Sequence, residues 1–386
     1  MSSLLVAMKE ILDDAERGQY GVPALNINEM LQLQAYLNAA YELKSPLILQ
    51  ASMGSREFTG WLSTSEPNPD LGAGVTIGMI ETFLRFYKAE YGYAVPVSVT
   101  LDHGPRFQEC KGAIDKGFTA VMIDGSLDYD KKDKDGKHPP RSLEDNIRVT
   151  KEVVDYAHSK GVSVEGELGT LGGIEDNTAA TEVKLTKPEE VEQFVQQTGV
   201  DALAVAIGTS HGAYKFKAAP KLALDLVPRI HAKAGNCRLV LHGSSSVPAE
   251  LTALVNQYPV VHLNGNQLEV SGYLYGDEKK VVHKSYALAS AEDMIQLGID
   301  LQHFSCLKKS AGVPMEQIRE AIKGGIRKIN VDTDGRLGTT GAIRKYMAEK
   351  PDVFDQRKYF DKARKALYDM AVDKIHGFGS AGKAMV

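Results

Sequence analysis

Three His-Gly dipeptides each close a short apolar run: His103-Gly104 in VSVTLDHG, His211-Gly212 in ALAVAIGTSHG and His242-Gly243 in RLVLHGSSS. Three imidazoles around one open coordination position make a catalytic zinc arrangement. Asp102 stands beside the first of them, and its carboxylate suits proton transfer. Neighbours on an extended strand point to opposite sides, so both reach one site only where the strand end turns. VEGELGTLGGIED adds further carboxylates, among them Glu165, Glu167 and Glu175. Glu165 and Glu167 share a strand face by period two, which places one of them at most at a metal. Glu175 follows Gly172-Gly173, a hinge on which a carboxylate can close over a substrate and shuttle a proton. GTSHGAYKF and LHGSSSVP set Lys215 and Ser245 beside Gly212 and Gly243. Ammonium, hydroxyl and accessible backbone N–H groups of that kind suit a phosphate. Asn330, Asp332 and Thr333 follow a last apolar run in GIRKINVDTD; Asp332, a poor phosphate ligand, suits a hydroxyl instead.

Bringing groups so far apart in the chain to one point requires a parallel β-α array, whose strand ends carry the site. Eight apolar runs read as strands: Val22–Asn26, Pro46–Ala51, Val97–Leu101, Ala120–Ile123, Ser163–Leu168, Ala202–Ile207, Arg238–Leu241 and Lys328–Val331. Helical patterns lie between most of them, at Met30–Lys44, Gln108–Lys116, Leu143–Lys160, Pro188–Gln197 and Pro314–Lys323. Eight such units predict a TIM (β/α)8 barrel over residues 1–386, with a doubly wound open sheet as the alternative. No G-x-G-x-x-G follows an early strand, which counts against dinucleotide binding. The lysine-rich KKDKDGKHPPR reads as a solvated loop, and residues 339–386 as helices outside the barrel ending in a flexible GFGSAGKAMV.

The chain is 386 residues long, 43% hydrophobic, with a net charge of -5. That charge argues against nucleic acid as the main partner, since a phosphate backbone needs a basic face. Cys110, Cys237 and Cys306 form no close pair, so neither a disulfide framework nor a thiolate zinc site is expected. No apolar run approaches a membrane span and the N-terminus lacks a signal-peptide pattern, so a cytoplasmic enzyme is expected.

LDHG, GFTAVMIDGS, VEGELGTLGG, GTSHGAYKF, LHGSSSVP and RKINVDTD occur in an order that resembles the class II, metal-dependent fructose-bisphosphate aldolases, and GAIRKYMAEKP and FDQRKY extend the likeness into the tail. The resemblance implies reversible cleavage of fructose 1,6-bisphosphate into dihydroxyacetone phosphate and glyceraldehyde 3-phosphate by a TIM-barrel homodimer or homotetramer. It makes His103, His211 and His242 zinc ligands, Glu167 a fourth, exchangeable ligand and Asp124 an accessory metal or ligand-orienting residue. Asp102 becomes the proton carrier at the C4 hydroxyl and Glu175 the mobile carboxylate that exchanges the triose proton. Asn26, Ser52, Gly212, Lys215, Gly243, Ser245, Asn330, Asp332 and Thr333 match substrate contacts. Arg357 resembles an arginine lent to the second phosphate of a neighbouring subunit. A monovalent cation often assists in that family.

Pro105-Arg106, Met53 and FDQR depart from the usual residues without touching the metal ligands. The largest departure is an extra segment, about 259–311, between the seventh and eighth strands. It reads as a β-hairpin about Gly276-Asp277 and a helix in SAEDMIQLGIDLQHF that make a subunit contact on the rim, or alternatively a lid. His262, His283 and His303 are then not metal ligands. Tagatose- or sedoheptulose-bisphosphate cleavage is the alternative within the family. Lys328 would be the nucleophile of a Schiff-base mechanism; a metal-dependent hydrolase would want a His-x-His pair on the first strand, which VPALNIN lacks; and a non-catalytic zinc protein would have no use for Asp102.

Overall fold

A computed structural model describes residues 3–61, 66–173, 180, 182–211, 220–257, 261–274, 277–305, 307 and 311–384. Eight parallel strands close into a barrel: β1 (Val22–Asn26), β2 (Leu47–Ser52), β3 (Val97–Gly104), β4 (Ala120–Ile123), β5 (Ser163–Leu168), β6 (Ala202–Val205), β7 (Arg238–Leu241) and β8 (Ile326–Val331). Each pairs with its neighbours in sequence, and β8 returns to β1 in the register Val22↔Lys328. The strands read as continuous apolar runs because helices cover their outer faces, as parallel sheets require. The expected strands are all present, with ends shifted by up to three residues.

The lumen is layered. Val22, Ala24, Ile48, Ala120, Met122, Ala202, Ala204 and Val240 fill its lower part. The helix Met8–Gly18 closes that end, burying Met8, Ile11, Leu12 and Ala15 against this layer. It is held at its sides by Arg238 on Asp13 (2.9 Å) and Arg327 on Glu16 (2.7 Å). Period-two alternation then brings Asn26, Gln50, Asp102, Asp124, Glu165, Glu167, His242, Lys328 and Asn330 to the upper part, all buried.

Two helices, Thr333–Glu349 and Gln356–Phe378, form the C-terminal extension. The end expected to be flexible is instead tied down. Gly382 N and Ala384 N donate to Leu43 O and Lys44 O (2.8 Å each), and Ser380 Oγ meets Ser45 Oγ at 2.9 Å. The extra segment forms an antiparallel sheet of Val261–Asn264, Gln267–Leu274 and Asp277–Ala287, with the helix Ala291–His303 after it. The expected hairpin is present, although its turn at 275–276 lies outside the described residues. Ser290 caps the helix by accepting from Asp293 N. Among the described residues, no helix is long and apolar enough to cross a membrane.

Candidate metal centre

The site begins at an irregularity in β3. The register with β4 slips between Leu101 and Gly104, and His103 has φ of 52°, in the left-handed region. A non-glycine residue there is uncommon and marks a functional position. Adjacent residues that would diverge on a regular strand are thereby brought together: carboxylate and ring atoms of Asp102, His103 and His242 converge as one possible ligand group. Gly104 is required next, since a Cβ would lie 2.6 Å from Cys110 Sγ and 2.7 Å from Met122 O.

His103 Nε2 and His242 Nδ1 face one another at 3.0 Å. Each ring is oriented from behind by a carboxylate. Asp124 Oδ2 faces His103 Nδ1 at 3.5 Å, and Glu165 Oε1 accepts from His242 Nε2 at 2.6 Å. Carboxylate partners of this kind fix the tautomer of metal-ligating histidines. Here they leave Nε2 of one ring and Nδ1 of the other aimed at one point. Behind Glu165, Lys328 Nζ donates to Oε2 at 2.8 Å, with both side chains fully buried. Lys328 is therefore an ion-pair partner, not an exposed nucleophile.

The electrostatics call for a cation. Burial opposes charge on His103, yet the Asp124 carboxylate facing its Nδ1 and the charges of Asp102 and Glu167 raise it to about 10. Burial and the neighbouring Asp124 push Glu167 well above the ordinary carboxyl range. Burial raises and His103 lowers Asp124, which ends at about 2. His242 is lowered by burial despite Glu165, which keeps its ring neutral. A neutral His242 offers a lone pair at Nδ1, as a metal ligand must. His103, Asp124 and Glu167 form a second possible ligand group sharing His103 with the first. Asp102 Oδ1, Glu167 Oε2 and Asn330 Oδ1 are buried without a hydrogen-bond partner among the described residues. Buried polar atoms are rarely left so, and these three await an ion or a ligand. The donor set of imidazoles and carboxylates fits zinc or a similar divalent metal.

Asn26 Nδ2 donates to Asp102 Oδ2 at 2.8 Å, and Gln50 Nε2 donates to Asn26 Oδ1 at 2.9 Å. The Asn330 amide lies 3.1 Å from both nitrogens of His242. Ser245 Oγ accepts from Asp332 N at 3.2 Å, joining the β7 and β8 loops. Asp332 pairs with Arg336 at 2.8 Å, and Thr333 opens the following helix, buried. Ser52 caps the helix Met53–Thr59. His211 lies on the short strand Ser210–His211, parallel to Gly172–Gly173. A Cβ on Gly243 would lie 2.6 Å from Ser210 O, so the second and third His-Gly segments pack backbone to backbone. Glu175, Gly212 and Lys215 lie outside the described residues. Arg357 is not brought to this site: its side chain is 85% exposed and paired with Asp355.

Gln50, Ser126 and Tyr129 were not apparent as site residues in the sequence. Gln50 had a signal, being the inward position of β2 one period before Ser52. Ser126 and Tyr129 sit in a loop whose lysines conceal them.

Residues 6–383 match the family described as fructose-bisphosphate aldolase class-II. A fructose-bisphosphate aldolase of Giardia intestinalis is 39% identical over 98% of this chain and 94% of its own length. One of Pseudomonas aeruginosa is 38% identical over 98% and 92%. Among solved structures, the YdjI aldolase of Escherichia coli superposes with a TM-score of 0.61 at 25% identity, covering 98% of this chain and 99% of that one. The fructose-bisphosphate aldolase of Campylobacter jejuni shares the fold, with a TM-score of 0.65 at 18% identity over 99% and 97%.

Proposed function

The chain belongs to the class II fructose-bisphosphate aldolase family, and from that premise we propose that it cleaves fructose 1,6-bisphosphate reversibly to dihydroxyacetone phosphate and glyceraldehyde 3-phosphate with zinc bound at His103, His211 and His242. The observation that carries the metal reading is the pair of carboxylate-backed imidazoles whose nitrogens meet at 3.0 Å. Glu167 is the exchangeable fourth ligand and Asp124 the group that orients His103. The metal, when bound, supplies Lewis-acid stabilisation of the charge that develops on the triose oxygens.

Asp102 moves the proton at the C4 hydroxyl. Asn26 holds one of its oxygens and leaves Oδ1 for the substrate. Glu175 exchanges the proton on the triose carbon. Gly212, Lys215, Gly243, Ser245 and Thr333 hold one phosphate, while Ser52, Asn330 and Asp332 orient the triose, with a monovalent cation assisting. Arg357, which pairs with Asp355 and meets no site residue among the described residues, reaches the second phosphate of a neighbouring subunit in a homodimer or homotetramer. The whole chain works as one barrel unit in the cytoplasm, with 259–311 and 339–386 as additions to it.

A coupled assay on fructose and tagatose bisphosphates, with and without EDTA, tests this reading. Chelation abolishes turnover, zinc restores it, and His242→Ala loses metal and activity together. Full turnover by metal-free protein refutes it.

A further inference from the structure

The loop that follows β4 departs from its expected character. Its lysines are solvated, but its two rings are not: Tyr129 is 7% and His138 2% exposed. Tyr129 O–H donates to Asp124 Oδ2, the same oxygen that faces His103 Nδ1. Ser126 Oγ donates to the other oxygen at 2.7 Å, and Ser126 N at 3.2 Å. The carboxylate is thus gripped at both ends, which fixes its rotation against His103.

Tyr129 is itself held. Its ring centroid lies 4.6 Å from that of His138. His138 Nδ1 lies 2.9 Å from Lys131 O and 3.3 Å from Asp128 O. The loop is closed at its base, where Leu127 bridges Pro140, Asp128 N donates to Pro139 O at 2.8 Å and Arg141 N to Ser126 O at 2.8 Å. Two buried rings in a loop otherwise rich in charge serve no core of their own. What they support is one hydroxyl on one carboxylate.

We propose that Tyr129, braced by His138, is a positioning residue for the metal centre: it fixes Asp124 against His103 and so sets the affinity of the site for its divalent cation. The inference rests on the metal reading of His103 given above. Losing a partner behind a ligating histidine weakens metal binding by about 10- to 100-fold. Tyr129 stands one residue further out, so the lower end applies.

Metal-free protein is titrated with Zn2+ against a chelating competitor for the wild type, Tyr129→Phe and Asp124→Asn. Tyr129→Phe keeps the ring and removes only the hydroxyl. It is expected to bind zinc about 10-fold more weakly, with the fold and KM retained and turnover restored by excess zinc. Asp124→Asn weakens zinc at least as much. Wild-type zinc affinity in Tyr129→Phe, beside a weakened Asp124→Asn, overturns the role of Tyr129 and leaves the metal reading standing. A turnover defect that excess zinc does not repair overturns it as well. A wild-type protein that takes up no stoichiometric zinc overturns the metal reading itself.

Discussion

Replacing Lys328 by methionine separates its two possible roles. Its ammonium and the Glu165 carboxylate are both fully buried and 2.8 Å apart. Removing one partner of such a pair costs about 3–5 kcal/mol, because the other charge is left uncompensated. A second route gives a similar figure. Burial raises Glu165, but Lys328 and His242 bring it down to about 2 from an ordinary 4.5. At about 1.4 kcal/mol per pH unit, that difference corresponds to roughly 3 kcal/mol of order-of-magnitude stabilisation, shared between the two partners. A carboxylate with a depressed pKa contributes fully above its unfolded value and loses the contribution as pH falls through the folded one. The Lys328→Met deficit is therefore about 3 kcal/mol at pH 7 and narrows below about pH 4.5. Urea unfolding of metal-free protein at matched concentration measures it. Replacing Glu165 by leucine in the same variant should recover part of the loss, since the orphaned charge is gone. A deficit under about 1 kcal/mol at pH 7 would sink the reasoning, as would borohydride trapping of substrate on Lys328.

Asp102→Ala keeps its zinc and slows carbon–carbon cleavage by about 10²–10⁴-fold, the range for a lost general acid or base; wild-type single-turnover cleavage would show that another group carries the proton. Lys374→Met acts at a distance. Lys374 and Asp334 form a buried pair at 2.9 Å, and the Asp334 carboxylate accepts the backbone N–H groups of Ser246 and Val247, the latter at φ of 44°. The variant should lose about 3–5 kcal/mol and raise KM by loosening the Ser245 loop while retaining zinc; an unchanged Tm would contradict this.

The strands were readable because a parallel sheet covered on both faces must be apolar along its length. That left the few polar residues at their upper ends as the chemistry. The turn that brings Asp102 and His103 together was not readable, since a left-handed φ at a histidine has no composition of its own. Period two put Glu165 and Glu167 on one face. It could not assign them to successive layers, where Glu165 backs His242 and Glu167 adjoins Asp124. Lys328 looked like a nucleophile because only the fold reveals Glu165 beneath it. Tyr129 and His138 were masked by the lysines around them. The glycines of GFGSAGKAMV suggested a loose end, yet the hydrogen bonds that secure it come from Leu43 and Lys44, over three hundred residues away.

Those tail bonds have a topological consequence. Leu5 pairs with Val97 at the base of β3, and Val97 pairs with Leu47 at the base of β2. Ala384 N bonds Lys44 O, three residues before Leu47. Both ends of the described chain thus lie on one rim, at the closed floor and opposite the metal centre. A Gly-Ser bridge along that rim from Ala384 to Leu5 would convert this stretch of polypeptide into a ring. Such a ring could be reopened in the exposed Lys131–Gly136 stretch. A circular permutant cut there keeps every barrel pairing, because the cut lies in a loop between β4 and β5.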